Sequence, residues 1–119
     1  MNVPSFEKAC EILGIDPNLL PGVEGLPEVI AKRQIAAYKL EIIQNATNGY
    51  WKPDFGDDTW KYTPWFEWVP SLSAFVYTRT DYSHTYTFLG ARFYFENRET
   101  ARYFGEQHID LINDLHRVA

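Results

Sequence analysis

The stretch GYWKPDFGDDTWKYTPWFEW, residues 49 to 68, constrains the fold more than any other, holding all four tryptophans, eight aromatic residues and four carboxylates. Before it, apolar residues recur every three or four positions; after it, they alternate every second position. A change of period from about 3.6 to 2 within one chain places helices ahead of the segment and strands behind it. Each large ring buries on the order of 150 to 250 Å² when it packs inward, so the segment contributes heavily to the core of a 119-residue domain. Lys52, Asp54, Asp57, Asp58, Lys61 and Glu67 are interleaved with the rings and hold part of it in water. The sequence therefore predicts a link with some rings packed inward and others partly exposed.

The flanking elements follow from local chemistry. A first helix is expected over about 5–13, with Phe6, Ala9, Cys10 and Leu13 on one face and Gly14 as a left-handed cap. Residues 18–27, NLLPGVEGLP, read as a loop. A long helix is expected over about 27–48, opened by Pro27 and stopped at Gly49, with Ala31, Ile35, Tyr38, Ile42 and Ala46 as its packing stripe and Ile30, Ala37 and Leu40 widening it. Strands are expected over about 72–79, 84–89 and 91–96, with Thr80 to Ser83 (TDYS) as the turn between the first two. WFEWV, before Pro70, is a further candidate at the sheet edge. A last helix is expected over about 98–116, capped by Asn97, with Ala101, Phe104, Gly105, His108, Ile112 and Leu115 inward. Together these give one α+β domain over 1–119: an antiparallel meander of three to four strands in one layer, packed against two or three helices in the other.

Composition narrows the function classes. Cys10 is the only cysteine, which excludes an intrachain disulfide and a cysteine-based zinc site, and on an apolar stripe it reads as a small core residue. No window approaches the roughly 18 apolar residues of a membrane span, and no basic stretch precedes an apolar run at the N-terminus. A cytoplasmic location without membrane partners is expected. The net charge of −5 has no compensating block of Lys or Arg, which disfavours nucleic acid as a partner, because phosphate neutralisation supplies most non-specific affinity. A patch of Arg79, Arg92, Arg98 and Arg102 is the exception to be looked for.

Three constellations invite chemistry. Asp54, Asp57 and Asp58 set hard oxygen ligands around a glycine, yet the order of a calcium loop is missing, and a polar turn accounts for them. On the last helix Glu106, Asp110 and Asp114 share a line while His108 falls with the apolar residues; Arg102 and Arg117 stand four before Glu106 and three after Asp114. This is the pattern of a charged face and a half-buried histidine. Phosphate loops, nucleophile elbows and zinc spacings are absent. No metal, no cofactor and no catalytic residue is expected.

Matches at Gly49, Trp51, Pro53, Asp54, Lys61, Tyr62, Pro64, Trp65, Phe66, Gly90, Arg92, Phe95, Glu99, Ala101, Tyr103 and Gly105 cover about residues 35 to 112. On these positions the chain resembles a family of short proteins from phages and prophages of gut Bacteroidetes, whose pattern joins G-W-x-P-D-W, K-Y-x-P-W-F and a closing strand G-S-R-L-x-F. Tyr50 intrudes before Trp51, Phe55 replaces the second tryptophan, and Glu96-Asn97 stands where lysine-serine is usual. The resemblance implies expression in a bacterial host cell and brings no catalytic residue with it.

Absent catalytic motifs, acidic balance and an aromatic segment together point to a non-enzymatic phage or prophage accessory protein that binds a host or viral protein, with inhibition of a host system as one form. Trp51, Lys52, Asp57, Asp58, Trp60 and Lys61 are the expected contact residues. The alternatives are a single-stranded nucleic-acid module that stacks bases on its rings and, less favoured, a small enzyme whose site is assembled from distant residues.

Overall fold

In the computed structural model, residues 1–83 and 93–118 are described. The first helix, α1 (Phe6–Leu13), forms where local signals agree: the Ser5 hydroxyl accepts the Lys8 N–H, and Gly14, at φ 69°, returns its N–H to Cys10 and Glu11 carbonyls. Phe6, Ala9 and Cys10 are buried, while Leu13 stays exposed at the end of the helix.

The long helix, α2 (Glu28–Asn48), has the expected length, with Pro27 as its cap and Gly49 at φ 58° ending it. Its packing face differs from the predicted stripe. Ala36, Leu40, Ile43 and Thr47 are buried along one line, with Ile42, Gln44 and Ala46 beside them, whereas Ala31 and Ile35 are only half-buried and Ile30 is exposed. The physical reason is that α2 packs against more than one neighbour, since α1 and the C-terminal helix over Ile109–Leu115 both lie on it. A helix buried on several sides carries apolar residues around much of its circumference, and its periodicity does not mark one face.

The sheet among the described residues is an antiparallel hairpin of β1 (Lys61–Val69) and β2 (Ala74–Ser83). The candidate edge strand WFEWV is thus the second half of a longer strand that begins inside the aromatic segment. The expected TDYS turn is overturned: Thr80, Asp81, Tyr82 and Ser83 continue β2 and pair with Pro64, Thr63, Tyr62 and Lys61. The reversal instead occupies Pro70 to Ser73, with Leu72 N–H on the Val69 carbonyl and Ser73 in the left-handed region at φ 48°. The register skips Thr78 opposite the Trp65/Phe66 step, a bulge that preserves alternation along β1.

On the far edge of β1, Tyr62 and Phe95 exchange both backbone hydrogen bonds, at 2.9 and 2.7 Å. Phe95 therefore pairs with β1, whereas the simple meander order places the strand expected at 91–96 beside the one expected at 84–89. Pro64 has the same parity as Tyr62, so its missing N–H faces away from the β1–β2 ladder, where a proline is tolerated. The strand expected at 84–89, and residues 91 and 92 of the one expected at 91–96, lie outside the described residues.

The expected helix 98–116 is two helices, α3 (Arg98–Gln107) and α4 (Ile109–Leu115). Asn97 caps α3 by accepting the Thr100 N–H. The break falls at His108, whose ring is buried and whose Nε2 lies 2.9 Å from the Val3 carbonyl. Pulled inward by this N-terminal strap, His108 leaves helical geometry at φ −107°, ψ 29°. Burial lowers the pKa of its imidazole. The Asn113 side chain then clamps β2 by accepting from Phe75 N–H and donating to the Phe75 carbonyl.

The class is thus α+β, with α3 and α4 against the hairpin, α2 on α4, and α1 on α2. Phe104 lies at the centre of the core, its ring 4.7 Å from Phe95 and 5.7 Å from Phe93. α3 comes close against the hairpin at Gly105, where an added Cβ would lie 2.8 Å from Pro64 Cβ and 2.9 Å from Tyr77 Cδ1. Overpacking of this kind costs on the order of 1–3 kcal/mol. Gly105→Ala should destabilise by about 2 kcal/mol in chemical denaturation, whereas an unchanged midpoint would show that the contact yields freely.

Candidate functional site

The aromatic segment is organised around one buried cation. Lys61 is 0% exposed, and its ammonium, which has three N–H donors to satisfy, lies 2.9 Å from the Thr59 carbonyl, 3.0 Å from Asp57 Oδ1 and 3.4 Å from the Asp57 carbonyl. The charge also stands 5.4 Å above the Phe55 ring, which meets Tyr94 edge-on. A buried charge is tolerable only when paired and hydrogen-bonded, and this geometry meets that condition.

The acidic turn is built to supply those oxygens. Asp54 Oδ1 accepts the Gly56 N–H at 2.8 Å, and Asp57 Oδ1 accepts both the backbone N–H and the hydroxyl of Thr59. These bonds, with the Thr59 hydroxyl contributing most and Lys61 next, lower the Asp57 pKa to about 2. Two of the three aspartates are thus turned to internal work, with a lysine ammonium lying against the oxygens of Asp57. Among the described residues no three metal-ligating side chains converge. Asp58 is exposed and has no side-chain partner among the described residues.

Of the six expected contact residues, Lys61 is inside and Asp57 is bound to it. Trp51 is half-buried and Lys52 exposed beside the end of α2. Trp60 is on the outside, 47% exposed, and meets the 48% exposed Tyr82 edge-to-face at 4.3 Å. Tyr62 follows at 6.2 Å from Tyr82, and the Arg98 guanidinium lies over both tyrosines while donating to the Thr80 carbonyl at 2.8 Å. Tyr62 and Tyr82 are register partners on one face and Trp60, just before β1, packs on Tyr82, so the hairpin and the start of α3 build a ledge of three rings and one arginine. Sequence reasoning missed Tyr62, Tyr82 and Arg98 as a group because it placed Tyr82 in a turn; extending β2 by four residues would have revealed the shared parity.

The three described arginines of the expected patch do not all share one face. Arg79 lies over Trp65, which alternation places on the hairpin face opposite Tyr62, Pro64 and Phe66, whereas Arg98 and Arg102 belong to α3; Arg92 lies outside the described residues. Arg102 is paired with Glu106 at 2.6 Å and Arg117 with Asp114 at 2.8 Å, as the helical spacing predicts.

No family model, curated protein or solved structure matches this chain. Among the described residues, no helix is long and apolar enough to cross a membrane.

The depressed Asp57 pKa carries a sign. A carboxyl at about 2 in the fold and about 3.9 unfolded stabilises fully above about pH 5, progressively less as pH falls through both values, and not at all by about pH 1. The stability difference between wild type and Asp57→Asn should therefore stay constant from pH 7 to about 5 and narrow steadily towards pH 2 in urea titrations. A gap independent of pH would contradict the Asp57–Thr59–Lys61 cluster.

Proposed function

We propose that the protein acts by binding, without catalysis, as a phage or prophage accessory protein that engages a host or viral protein in the bacterial cytoplasm through the ledge of Trp60, Tyr62, Tyr82 and Arg98. The observation that carries this reading is the exposed Trp60–Tyr82 pair under restraint. Tryptophan, tyrosine and arginine dominate the energetics of protein interfaces, and rings already fixed by neighbours lose little side-chain freedom on binding. Asp58 supplies a solvated rim charge beside them. The phage setting rests on the motifs shared with Bacteroidetes phage proteins, and inhibition of a host system is one form the binding takes. We further propose that the sheet grows beyond the hairpin into a three- to four-stranded antiparallel arrangement, for which the Tyr62–Phe95 bridge is the support.

A single-stranded nucleic-acid module is the second reading, favoured by Arg98 lying over two rings. Against it stand the net charge of −5 and the acidic neighbours Asp57, Asp58 and Asp81.

Tagged wild type and the Trp60→Ala and Arg98→Ala variants, expressed in a gut Bacteroidetes host and purified by affinity, separate the two. The proposal expects a specific protein captured by wild type and depleted at least about tenfold by either variant. Identical captured sets for all three would overturn it. Binding of a short oligonucleotide at low salt, weakened by the same variants and by added salt, would replace it with the nucleic-acid reading.

A further inference from the structure

Where α2 ends, its last turns, the tip of α1 and the start of the aromatic segment line a half-open cavity of about 520 Å³. That is the size range of sites that hold small molecules. Its walls divide by chemistry. Leu13, Pro53 and the half-buried Trp51 provide the apolar side, and Gln44, Asn45 and Asn48 set three carboxamides on one end of a helix. Two of them are held in place: Gln44 Nε2 and Asn48 Nδ2 both donate to the Tyr94 carbonyl, at 3.3 and 2.9 Å. With its Nδ2 so engaged, Asn48 keeps its Oδ1 without a protein partner among the described residues.

We propose that this cavity binds a neutral polyhydroxylated ligand, a sugar of one or two rings, against Trp51. Each carboxamide has both donors and an acceptor, which matches hydroxyl groups that donate and accept in turn. The apolar C–H face of a pyranose packs on an indole ring with hydrophobic gain and without charge. The field at the site excludes the main competitor, a nucleotide. The C-terminal end of a helix carries the negative pole of its dipole, and no basic residue stands in the last turn of α2 to offset it. A phosphate placed there meets repulsion that the single Lys52 on the loop opposes alone, whereas hydroxyl donors are favoured. The cavity is separate from the ledge, and the sugar proposal does not depend on the protein-binding one.

The test is a titration of the isotopically labelled protein with glucose, galactose, N-acetylglucosamine and cellobiose, each to about 50 mM, with adenosine monophosphate as the charged comparison. The resonances followed are the Trp51 indole and the Gln44, Asn45 and Asn48 side-chain amides. Saturable shifts confined to these groups, with dissociation constants around the millimolar level typical of a small site, are expected for at least one sugar. Trp51→Ala and Asn45→Ala should weaken binding at least about tenfold, and Trp60→Ala should leave it unchanged. Asn45 is exposed and makes no side-chain hydrogen bond among the described residues, so its variant keeps the test decisive if removal of Trp51 unfolds the chain. Absence of saturable shifts with every sugar, or saturation of the same groups by adenosine monophosphate alone, would overturn the proposal.

Discussion

The structure depends on a short piece of backbone, Tyr94 and Phe95, that two halves of the molecule share. Phe95 gives both of its backbone groups to Tyr62 of β1, and the Tyr94 carbonyl takes amide hydrogens from Gln44 and Asn48 of α2. Both residues are almost wholly buried, so these polar groups have no recourse to water and their loss would be costly. The Tyr94 ring also receives Phe55, over which Lys61 stands. One seam thereby fixes the start of β1, the end of the long helix and the acidic turn together. The ledge and the cavity lie on its two sides, Tyr62 belonging to one, Gln44 and Asn48 to the other.

The buried lysine explains why a segment so rich in carboxylates is a fold element and not a cation loop. An ammonium with three acceptors satisfies the turn from within, and it does so on a side chain that belongs to the strand the turn precedes. Trp60 sits between Thr59, whose carbonyl holds that ammonium, and Lys61, which carries it. With Lys61 committed inward, the Trp60 ring just before the strand turns outward and meets Tyr82. The order of residues thus converts an internal ion cluster into an external aromatic surface.

What could be read from the sequence was what local chemistry decides. Gly14, Gly49 and Asn97 mark helix ends through bonds made within a few residues, and these ends are where they were expected. The change of period placed α1 and α2 ahead of the aromatic segment and β2 behind it. What escaped was decided at long range. Thr80 to Ser83 have turn-like composition, yet they continue as strand because Lys61 to Pro64 offer a ladder. The last helix is periodic throughout and still breaks at His108, because the Val3 carbonyl, 105 residues away, draws the ring inward. Lys61 looked like a surface charge because nothing in a linear pattern reveals that Asp57 and Thr59 fold back over it. Trp60 was named as a contact residue, but its companions Tyr62, Tyr82 and Arg98 became visible as a group only with the strand register.

The most direct test of this account is the solvent exposure of the four tryptophans one by one. Each indole can be assigned by substitution and its ring protons exposed to a neutral, soluble gadolinium chelate, which broadens signals in proportion to their approach to solvent. The account predicts strong broadening for Trp60 and Trp68 and weaker broadening for the half-buried Trp51. A Trp60 ring broadened less than Trp51 would lie in the core, and neither the ledge nor a function built on it would survive.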